Sequence, residues 1–323
     1  METRSGYKLD MKKWKQKAIV QKTISYLPFG QNINYFFQKY VTKGENLNDE
    51  YFLDRLGHAK EHIHYYQNIT GNSHPNSSLE IGTGWYPIVP ISLFLIGSEK
   101  IYSVDIKMLT SKERIITTLE KFLEFHNSGK LKDFINYNSE RFEVIKSILN
   151  NRENYDLSQI LQLLKIIYII EDARKLSLAD NSIDLVNSNN TFEHIYPELL
   201  IPILIEFKRV VKKQNGVMSH FIDMSDHFAH FDKSINIYNF LQFSEKQWKW
   251  IDNSIQPQSR IRIYDYKKIY EDLKIPISEL TFRAGDLSEL KTIPLSDFYL
   301  NNSLEEIAIS HCHFVSDMCK NEN

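Results

Sequence analysis

The sequence of 323 residues predicts an α/β fold, with a mostly parallel sheet, helices on both faces and an antiparallel closing strand. Two observations predict this class. After residue 76, short apolar runs alternate with helical patterns, which is typical of parallel strands joined by crossover helices. Near the end of the chain, ELTFRAGD and EEIAISHCHFV have the texture of a closing antiparallel pair.

The predicted elements follow one another in a regular order. SLEIG is the first strand and ends in a glycine turn, and PIVPISLFLIG continues as a helix. Four further strands are predicted at 100–106, 165–173, 182–190 and 215–224. Helices are predicted for PELLIPILIEFKRVV, before the fifth strand, and for DYKKIYEDLKI, after it.

The sequence also predicts how the chain is organised. Residues 1–75 form a predicted N-terminal helical cap, since INYFFQKYVTK and EYFLDRLGHAKEHIHYYQNI place apolar residues three and four apart. Residues 76–323 form the predicted α/β domain, with helical insertions at about 107–164 and 225–262, because intervals this long seldom lack structure in a compact domain. We expect the cap and the insertions to cover one edge of the sheet.

Composition and charge exclude several classes of protein. The chain has 39 basic and 41 acidic residues, so its net charge of -2 gives no general attraction for nucleic acid. The longest apolar runs are too short to span a bilayer, the N-terminus lacks a signal-peptide pattern, and there are only two cysteines. We therefore expect a cytoplasmic protein without membrane contact. Its oligomeric state stays open.

A candidate cofactor loop follows the first strand, in the stretch Glu80-Ile81-Gly82-Thr83-Gly84. Gly82 and Gly84 lie where open parallel sheets bind ligands, and glycine there lets the backbone turn tightly and approach a ligand. Asp105 ends the second strand and can accept hydrogen bonds from two ribose hydroxyls. Together they predict a site for an adenosine-containing ligand. A plain strand–turn–helix with an incidental acid is the alternative.

With these residues the sequence resembles the class I S-adenosylmethionine-dependent methyltransferases. The first motif of that family, an acid followed by a variable residue and Gly-x-Gly, is similar to residues 80–84. The order continues with Asp105, with EDARKLSLADNSIDLVNSNNTFEHI at 171–195 and with FKRVVKKQNGV, so the resemblance covers about residues 77–224. It implies a Rossmann-like methyltransferase domain with helical lid insertions and S-adenosyl-L-methionine as the cofactor.

The resemblance further implies a cofactor-binding set at the ends of the first four strands. Its members are Glu80, Gly82, Gly84, Trp85, Asp105, Asp172, Ala173, Ser188 and Asn189. The residues of the first motif would frame the methionine end and Asp105 the ribose. Asp172 would bind the adenine amino group, Ala173 the adenine ring, and the last two the sulfonium side. Tyr86 stands where many members have a third glycine. The absence of this glycine disfavours a nicotinamide oxidoreductase, because the pyrophosphate of a nicotinamide cofactor needs it.

Candidate catalytic residues follow strands four and five. HFIDMSDHFAHFD supplies Asp223, Asp226 and His227, and His194 follows Glu193 at the end of strand four. This cluster can act as a general base, hold a divalent metal, or only fix a lid through hydrogen bonds. No spacing in it is a defined metal signature, so we assign no metal ligand.

The predicted function is methyl transfer to an oxygen or nitrogen atom of a small molecule, peptide or glycan, in a biosynthetic or tailoring pathway. Oxygen is the first expectation, because an acid–histidine set suits deprotonation of a hydroxyl. The alternative is a catalytically inactive partner subunit that binds S-adenosylmethionine. Retention of Asp105, Asp172 and the polar cluster favours the enzyme.

Overall fold

The computed structural model describes residues 12–26 and 47–319, and in this part of the chain seven strands form one sheet. The strands are Ser77–Ile81 (β1), Lys100–Asp105 (β2), Ile166–Ile170 (β3), Leu185–Asn189 (β4), Val217–Asp223 (β5), Glu279–Arg283 (β6) and His311–Asp317 (β7). Their order across the sheet is β3-β2-β1-β4-β5-β7-β6. β1 to β5 are parallel, and β7 is antiparallel to β5. The predicted sheet, with its antiparallel closing strand, is confirmed.

Twelve α-helices lie in the described residues. They are Lys13–Ser25 (α1), Asp49–Thr70 (α2), Ile88–Ile96 (α3), Lys112–Asn127 (α4), Ser139–Asn150 (α5), Leu157–Leu163 (α6), Pro197–Val210 (α7), His227–Phe231 (α8), Glu245–Ile251 (α9), Ile263–Asp272 (α10), Leu287–Leu290 (α11) and Leu304–Ala308 (α12). None of these helices combines the length and the apolar character needed to cross a membrane. The helix predicted for INYFFQKYVTK lies outside the described residues.

The chain divides into two compact units, each assembled from segments that are distant in sequence. The larger unit comprises residues 45–223, 263–282 and 311–323, and it holds the sheet. The smaller unit comprises residues 224–262 and 283–310 with the N-terminal segment that carries α1. The proposed division into a cap and a domain with two insertions stays a prediction.

In the larger unit, the central strands are buried along their whole length. Every residue of β1, β4 and β5 is buried, whereas in β3, at one edge, only Ile166 is buried. Crossover helices must therefore cover both faces of these strands. β4 and β5 nevertheless carry buried serine, asparagine and histidine side chains among their apolar residues.

Helix α2 also belongs to the larger unit. It begins after Asn48, whose side chain accepts a hydrogen bond from the Tyr51 amide, and it ends at Gly71 in the left-handed conformation. We expected this region at one edge of the sheet, and that expectation was wrong. His62 of α2 is hydrogen-bonded to β4 and β5, so the helix lies on the centre of the sheet.

The segment EEIAISHCHFV is only partly a strand. Its first residues form α12, because Ser303 accepts a hydrogen bond from the Glu306 amide and caps the helix. The strand β7 begins at His311. The sequence prediction of a strand over the whole segment was therefore wrong for its N-terminal half.

A buried arginine connects segments of the smaller unit. Arg262 is fully buried, and its guanidinium donates hydrogen bonds to the carbonyl oxygens of Met224, Ile307 and Ile309. These acceptors lie on both sides of a long interval in the chain. A buried guanidinium is tolerated only when its donors are satisfied, and here backbone carbonyls satisfy several of them.

We expect Arg262→Met to lower the free energy of unfolding by about 3 kcal/mol, because the buried carbonyls lose a charged donor. Urea denaturation followed by circular dichroism measures this loss. Arg152→Met is the matched control, since Arg152 is half exposed and pairs with Glu120 on the surface. An Arg262→Met protein as stable as the control would show that the guanidinium does not hold these segments together.

Candidate functional site

The loop after β1 turns through two left-handed glycines. Gly82 has φ +74° and Gly84 has φ +72°, and the Gly82 amide donates to the carbonyl of Val104 at 2.9 Å. A Cβ at Gly82 would lie 2.4 Å from Thr191 Oγ1. A Cβ at Gly84 would meet nothing in the described residues closer than a carbonyl oxygen at 3.9 Å. Packing therefore demands glycine at position 82, whereas the space beside Gly84 can admit a ligand.

Asp105 connects the end of β2 to the glycine loop. Its Oδ1 accepts a hydrogen bond from the Ile106 amide at 2.8 Å. Burial raises the pKa of Asp105, and hydrogen bonds from the amides of Ile106, Lys107 and Gly84 oppose that rise. The carboxylate predicted to bind a ribose thus lies against the loop predicted to hold the same ligand.

The residues predicted for the adenine follow β3. Asp172 is exposed and forms an ion pair with Arg174, with Nε 2.9 and 3.0 Å from its two carboxylate oxygens. Hydrogen bonds from the Arg174 side chain lower the pKa of Asp172 to about 2. Ala173 is buried, and the Glu171 amide donates to the carbonyl of Asp105 at 3.2 Å. The end of β3 therefore lies beside the end of β2.

Trp85 is half buried beside the glycine loop, and its ring faces an arginine. The Arg114 guanidinium carbon lies 3.8 Å from the ring centroid, which is a close cation–π contact. This contact fixes the indole, so that it can form one wall of a site next to Gly84.

The two residues predicted for the sulfonium side alternate across β4. The hydroxyl of Ser188 is 2.8 Å from Nδ1 of the buried His220. Asn189 instead donates from Nδ2 to Glu80 Oε1 at 3.1 Å, and its Oδ1 lies 2.8 Å from His62 Nε2. Successive side chains of a strand point to opposite faces, so only Asn189 contacts the acid of the first motif. The cofactor roles of both stay predictions.

Glu80 is a buried carboxyl with several polar neighbours. Burial raises its pKa to about 7, and hydrogen bonds from Thr83, Asn189 and Asn187 together with the positive charge of Arg55 oppose that rise. The acid is therefore balanced between its two protonation states near neutral pH.

A pair of buried acids also lies in the larger unit, where β4 and β5 end. Glu193 is buried, and its pKa is raised well above the ordinary range by burial and then by the negative charge of Asp223. Asp223 is also buried, with Oδ1 3.4 Å from His311 Nε2. Arg55 opposes the rise at Glu193. The predicted catalytic residue His194 is half buried in the same short 3-10 helix, Phe192–His194.

The other two candidate catalytic residues belong to the smaller unit. Asp226 is fully buried and caps α8, because it accepts hydrogen bonds from the Phe228 amide at 2.8 Å and from Asn239 Nδ2 at 3.0 Å. Burial raises its pKa. His227 is half buried, and its ring centroid lies 5.7 Å from that of His230. Asp226 therefore has a structural role whatever else it does.

Sequence reasoning missed one polar face of α2. Arg55, His58 and His62 are spaced by three and four residues, so they lie on the same side of the helix. His62 and His64 are two residues apart on this helix, so they lie on different faces of it. Polar residues at helical spacing were the available signal, but their partners on β4 and β5 are more than a hundred residues away.

Comparisons with known proteins find similarity to methyltransferases. Residues 136–218 match the sequence profile of a family described as a methyltransferase domain. A search of curated proteins returns no match.

Among solved structures, the chain is similar to the PH0226 protein of Pyrococcus horikoshii OT3, with 13% identity, a TM-score of 0.44 and coverage of 87% of this chain and 97% of that one. It is also similar to the plantazolicin methyltransferase BpumL in complex with SAH, with 14% identity, a TM-score of 0.45 and coverage of 94% and 96%. A third similar structure is geranyl diphosphate C-methyltransferase from Streptomyces coelicolor A3(2), with 12% identity, a TM-score of 0.41 and coverage of 86% and 89%.

The family match confirms the resemblance found in the sequence. The matched residues run from the loop before α5 to the start of β5 and include Asp172, Ala173, Ser188 and Asn189. The glycine loop lies N-terminal to them, at the end of β1. The predicted resemblance to the class I methyltransferases is therefore correct over the matched part of the chain.

The two glycines of the loop should respond differently to substitution. An alanine at either position must adopt a left-handed φ, which costs about 1 kcal/mol, but Gly82→Ala also drives a methyl group into Thr191. We expect Gly82→Ala to lose at least about 1 kcal/mol more stability than Gly84→Ala. Chemical denaturation of both variants measures the difference. Equal losses would mean that Thr191 does not constrain the loop.

Proposed function

We propose that the chain is an S-adenosylmethionine-dependent methyltransferase that acts on an oxygen or nitrogen atom of a small molecule, peptide or glycan, in a biosynthetic or tailoring pathway. The observation that carries this proposal is the junction of the glycine loop with Asp105. A left-handed glycine with open space beside it and a carboxylate from the neighbouring strand meet at the carboxyl edge of a parallel sheet.

The charges of the site support S-adenosylmethionine over a dinucleotide. Glu80 brings an acid to the glycine loop itself, where its ionised form would repel a pyrophosphate, whereas Asp105 at the end of β2 suits the ribose of either ligand. S-adenosylmethionine carries a sulfonium and an ammonium group and has no phosphate. The carboxylate of Glu80 suits the ammonium, and that of Asp105 suits the ribose hydroxyls. The residues present therefore fit this cofactor.

The cofactor supplies an electrophilic methyl group, and the acceptor needs a group that takes its proton. Burial favours the protonated form of Glu193, so we assign the base in the larger unit to Asp223. His311, 3.4 Å from Asp223, holds the orientation of this carboxylate. His194 in the same unit, and Asp226 and His227 in the smaller unit, stay proposed contributors that substitution must test.

The first test is calorimetric titration with S-adenosylmethionine and S-adenosylhomocysteine. We expect wild type to bind both at micromolar concentrations, and Asp105→Ala to weaken binding at least about 30-fold because the ribose loses its acceptor. Asp133→Ala is the matched control, since Asp133 is an exposed acid of the same unit. Binding that is equally strong in Asp105→Ala, or stronger binding of NADH than of S-adenosylmethionine, would refute the cofactor assignment.

A second test separates the enzyme from a partner subunit without turnover. Asp223→Asn should bind S-adenosylhomocysteine as wild type does, yet lower methyl transfer about 100-fold, because it removes the base and keeps the shape. The measurement is transfer of a labelled methyl group to acceptors on which wild type is active. Full activity in Asp223→Asn would exclude it as the base. An absence of transfer by wild type to any acceptor would favour the partner subunit.

A further inference from the structure

We propose that a buried chain of hydrogen bonds, here called the relay, sets the protonation of Glu80 and that the residues behind Glu80 are positioning residues of the cofactor site. The relay runs along the face of the sheet that α2 covers, from the glycine loop to the surface. In order from the loop to the surface its members are Glu80, Asn189, His62, Ser219, His313 and Glu61. The catalytic meaning of this relay rests on the proposed function, whereas the hydrogen bonds themselves do not.

The inner half of the relay connects the loop to α2. Asn189 Nδ2 lies 3.1 Å from Glu80 Oε1, and Asn189 Oδ1 lies 2.8 Å from His62 Nε2. His62 is fully buried, and Asn189 is nearly so. One side-chain amide therefore separates the acid from the imidazole.

The outer half connects α2 to the surface through β5 and β7. The hydroxyl of Ser219 lies 2.7 Å from His62 Nδ1 and 2.8 Å from His313 Nε2. On its other side, His313 Nδ1 lies 3.1 Å from Glu61 Oε2, and the Glu61 side chain is half exposed. Glu61 is therefore the end of the relay that water can reach.

His62 gives the relay a direction. Burial, and then the neighbouring His313, lower the pKa of His62 to about 3. A neutral imidazole has one N–H and one bare nitrogen, so a hydrogen bond donated to one side must be accepted on the other. Ser219 has a single hydroxyl proton, and it donates to only one of its two histidines. The state at one end therefore fixes the state at the other.

In the first orientation, every donor points toward the loop. Asn189 donates to Glu80, His62 donates from Nε2 to Asn189, and Ser219 donates to His62. His313 then donates from Nε2 to Ser219. Because the Glu61 carboxylate also requires a proton on Nδ1, His313 is an imidazolium in this orientation. It favours the ionised form of Glu80.

In the second orientation, every donor points toward the surface. Neutral His313 keeps its one proton on Nδ1 for Glu61, and its bare Nε2 accepts from Ser219. His62 then donates from Nδ1 and presents a bare Nε2 to Asn189. The amide of Asn189 must turn over, and its oxygen faces Glu80. Amide oxygen and nitrogen are assigned from such networks, so both placements fit the same positions. This orientation favours protonated Glu80.

Other groups face the two ends without belonging to the relay. Thr83, Asn187 and the charge of Arg55 act on Glu80 in both orientations and favour its ionised form. Near the other end, His220 carries a pKa held well below its ordinary range by burial and then by its neighbours His62 and His313, so it stays neutral. None of these groups changes with the direction of the relay.

The decisive experiment follows the ionisation of Glu80 without any cofactor. Protein labelled with 13C at glutamate carboxyl carbons is titrated by NMR, and Glu80→Gln identifies the signal. We expect Glu61→Gln to lower the pH midpoint of Glu80 ionisation by about half a pH unit or more. The glutamine can donate to a bare Nδ1, so neutral His313 no longer forces the second orientation.

Matched variants separate an effect transmitted through the relay from the direct electrostatic effect of the Glu61 charge on Glu80. Glu50→Gln removes the same charge from an exposed position of the same helix, and it should leave the midpoint unchanged. Ser219→Ala cuts the relay, so adding Glu61→Gln to it should produce no further shift. His62→Phe is a second cut that keeps the ring, for use if Ser219→Ala does not fold. Long-range 1H–15N spectra of labelled histidine report which nitrogen of His62 carries the proton.

The outcomes are distinguishable. A shift in Glu61→Gln that disappears in the cut background, accompanied by a change of the His62 tautomer, supports the relay. An unchanged midpoint, or an equal shift in intact and cut backgrounds, overturns it. Titrations with S-adenosylhomocysteine across the same pH range then test the consequence for the site. If S-adenosylhomocysteine does not bind to wild type, the proposed function fails, while the NMR result on the relay still stands.

Discussion

The parallel direction of β1 to β5 is the constraint on which the site depends. Parallel neighbours bring all their carboxyl ends to one edge of the sheet, whatever their separation in the chain. Glu80, Asp105, Asn189 and Asp223 stand at the ends of four of these strands. The crossover helices cover both faces, so the polar groups at this edge are the part of a buried sheet that is left to meet a ligand.

This arrangement places acids where water is scarce, and the protein compensates each one locally. Asp105 has backbone amides, Glu80 has side-chain amides and a hydroxyl, and Glu193 has the charge of Arg55. A buried polar group without such partners costs a few kcal/mol. The polar groups of β4 and β5 therefore select the helix that can pair with them. Helix α2 presents His62 at the required place, and this pairing acts together with the buried apolar residues of the helix to hold it on the centre of the sheet.

Much of this fold could be predicted from the sequence, because its signals are local. Apolar runs of strand length, helical spacing between them, and the Gly-x-Gly turn after Glu80 each occupy a few consecutive residues. The strand ends at Asp105 and Asp223 were predicted to within one residue for the same reason. The N-cap of α12 at Ser303 is also a local signal, but the apolar residues that follow it have the texture of a strand, so the helix was not predicted.

The network behind the site could not be predicted in this way. The contacts of His62 depend on which face of α2 meets the sheet and on the register of β4 beside β5. Neither is written in a short stretch of chain. The burial that brings the pKa of Glu80 to about 7 likewise results from the assembled core, and the sequence shows only an acid before two glycines.

The order of strands in space also constrains the order of events when the chain is made. β6 precedes β7 in the sequence, yet it lies beyond β7 in the sheet. During synthesis from the N-terminus, β6 therefore emerges with no strand to pair with, and β5 keeps an open edge until residues 311–317 follow. An unpaired edge can associate with other chains. The nascent protein is thus most exposed to aggregation late in translation, when nearly all of the parallel sheet already exists.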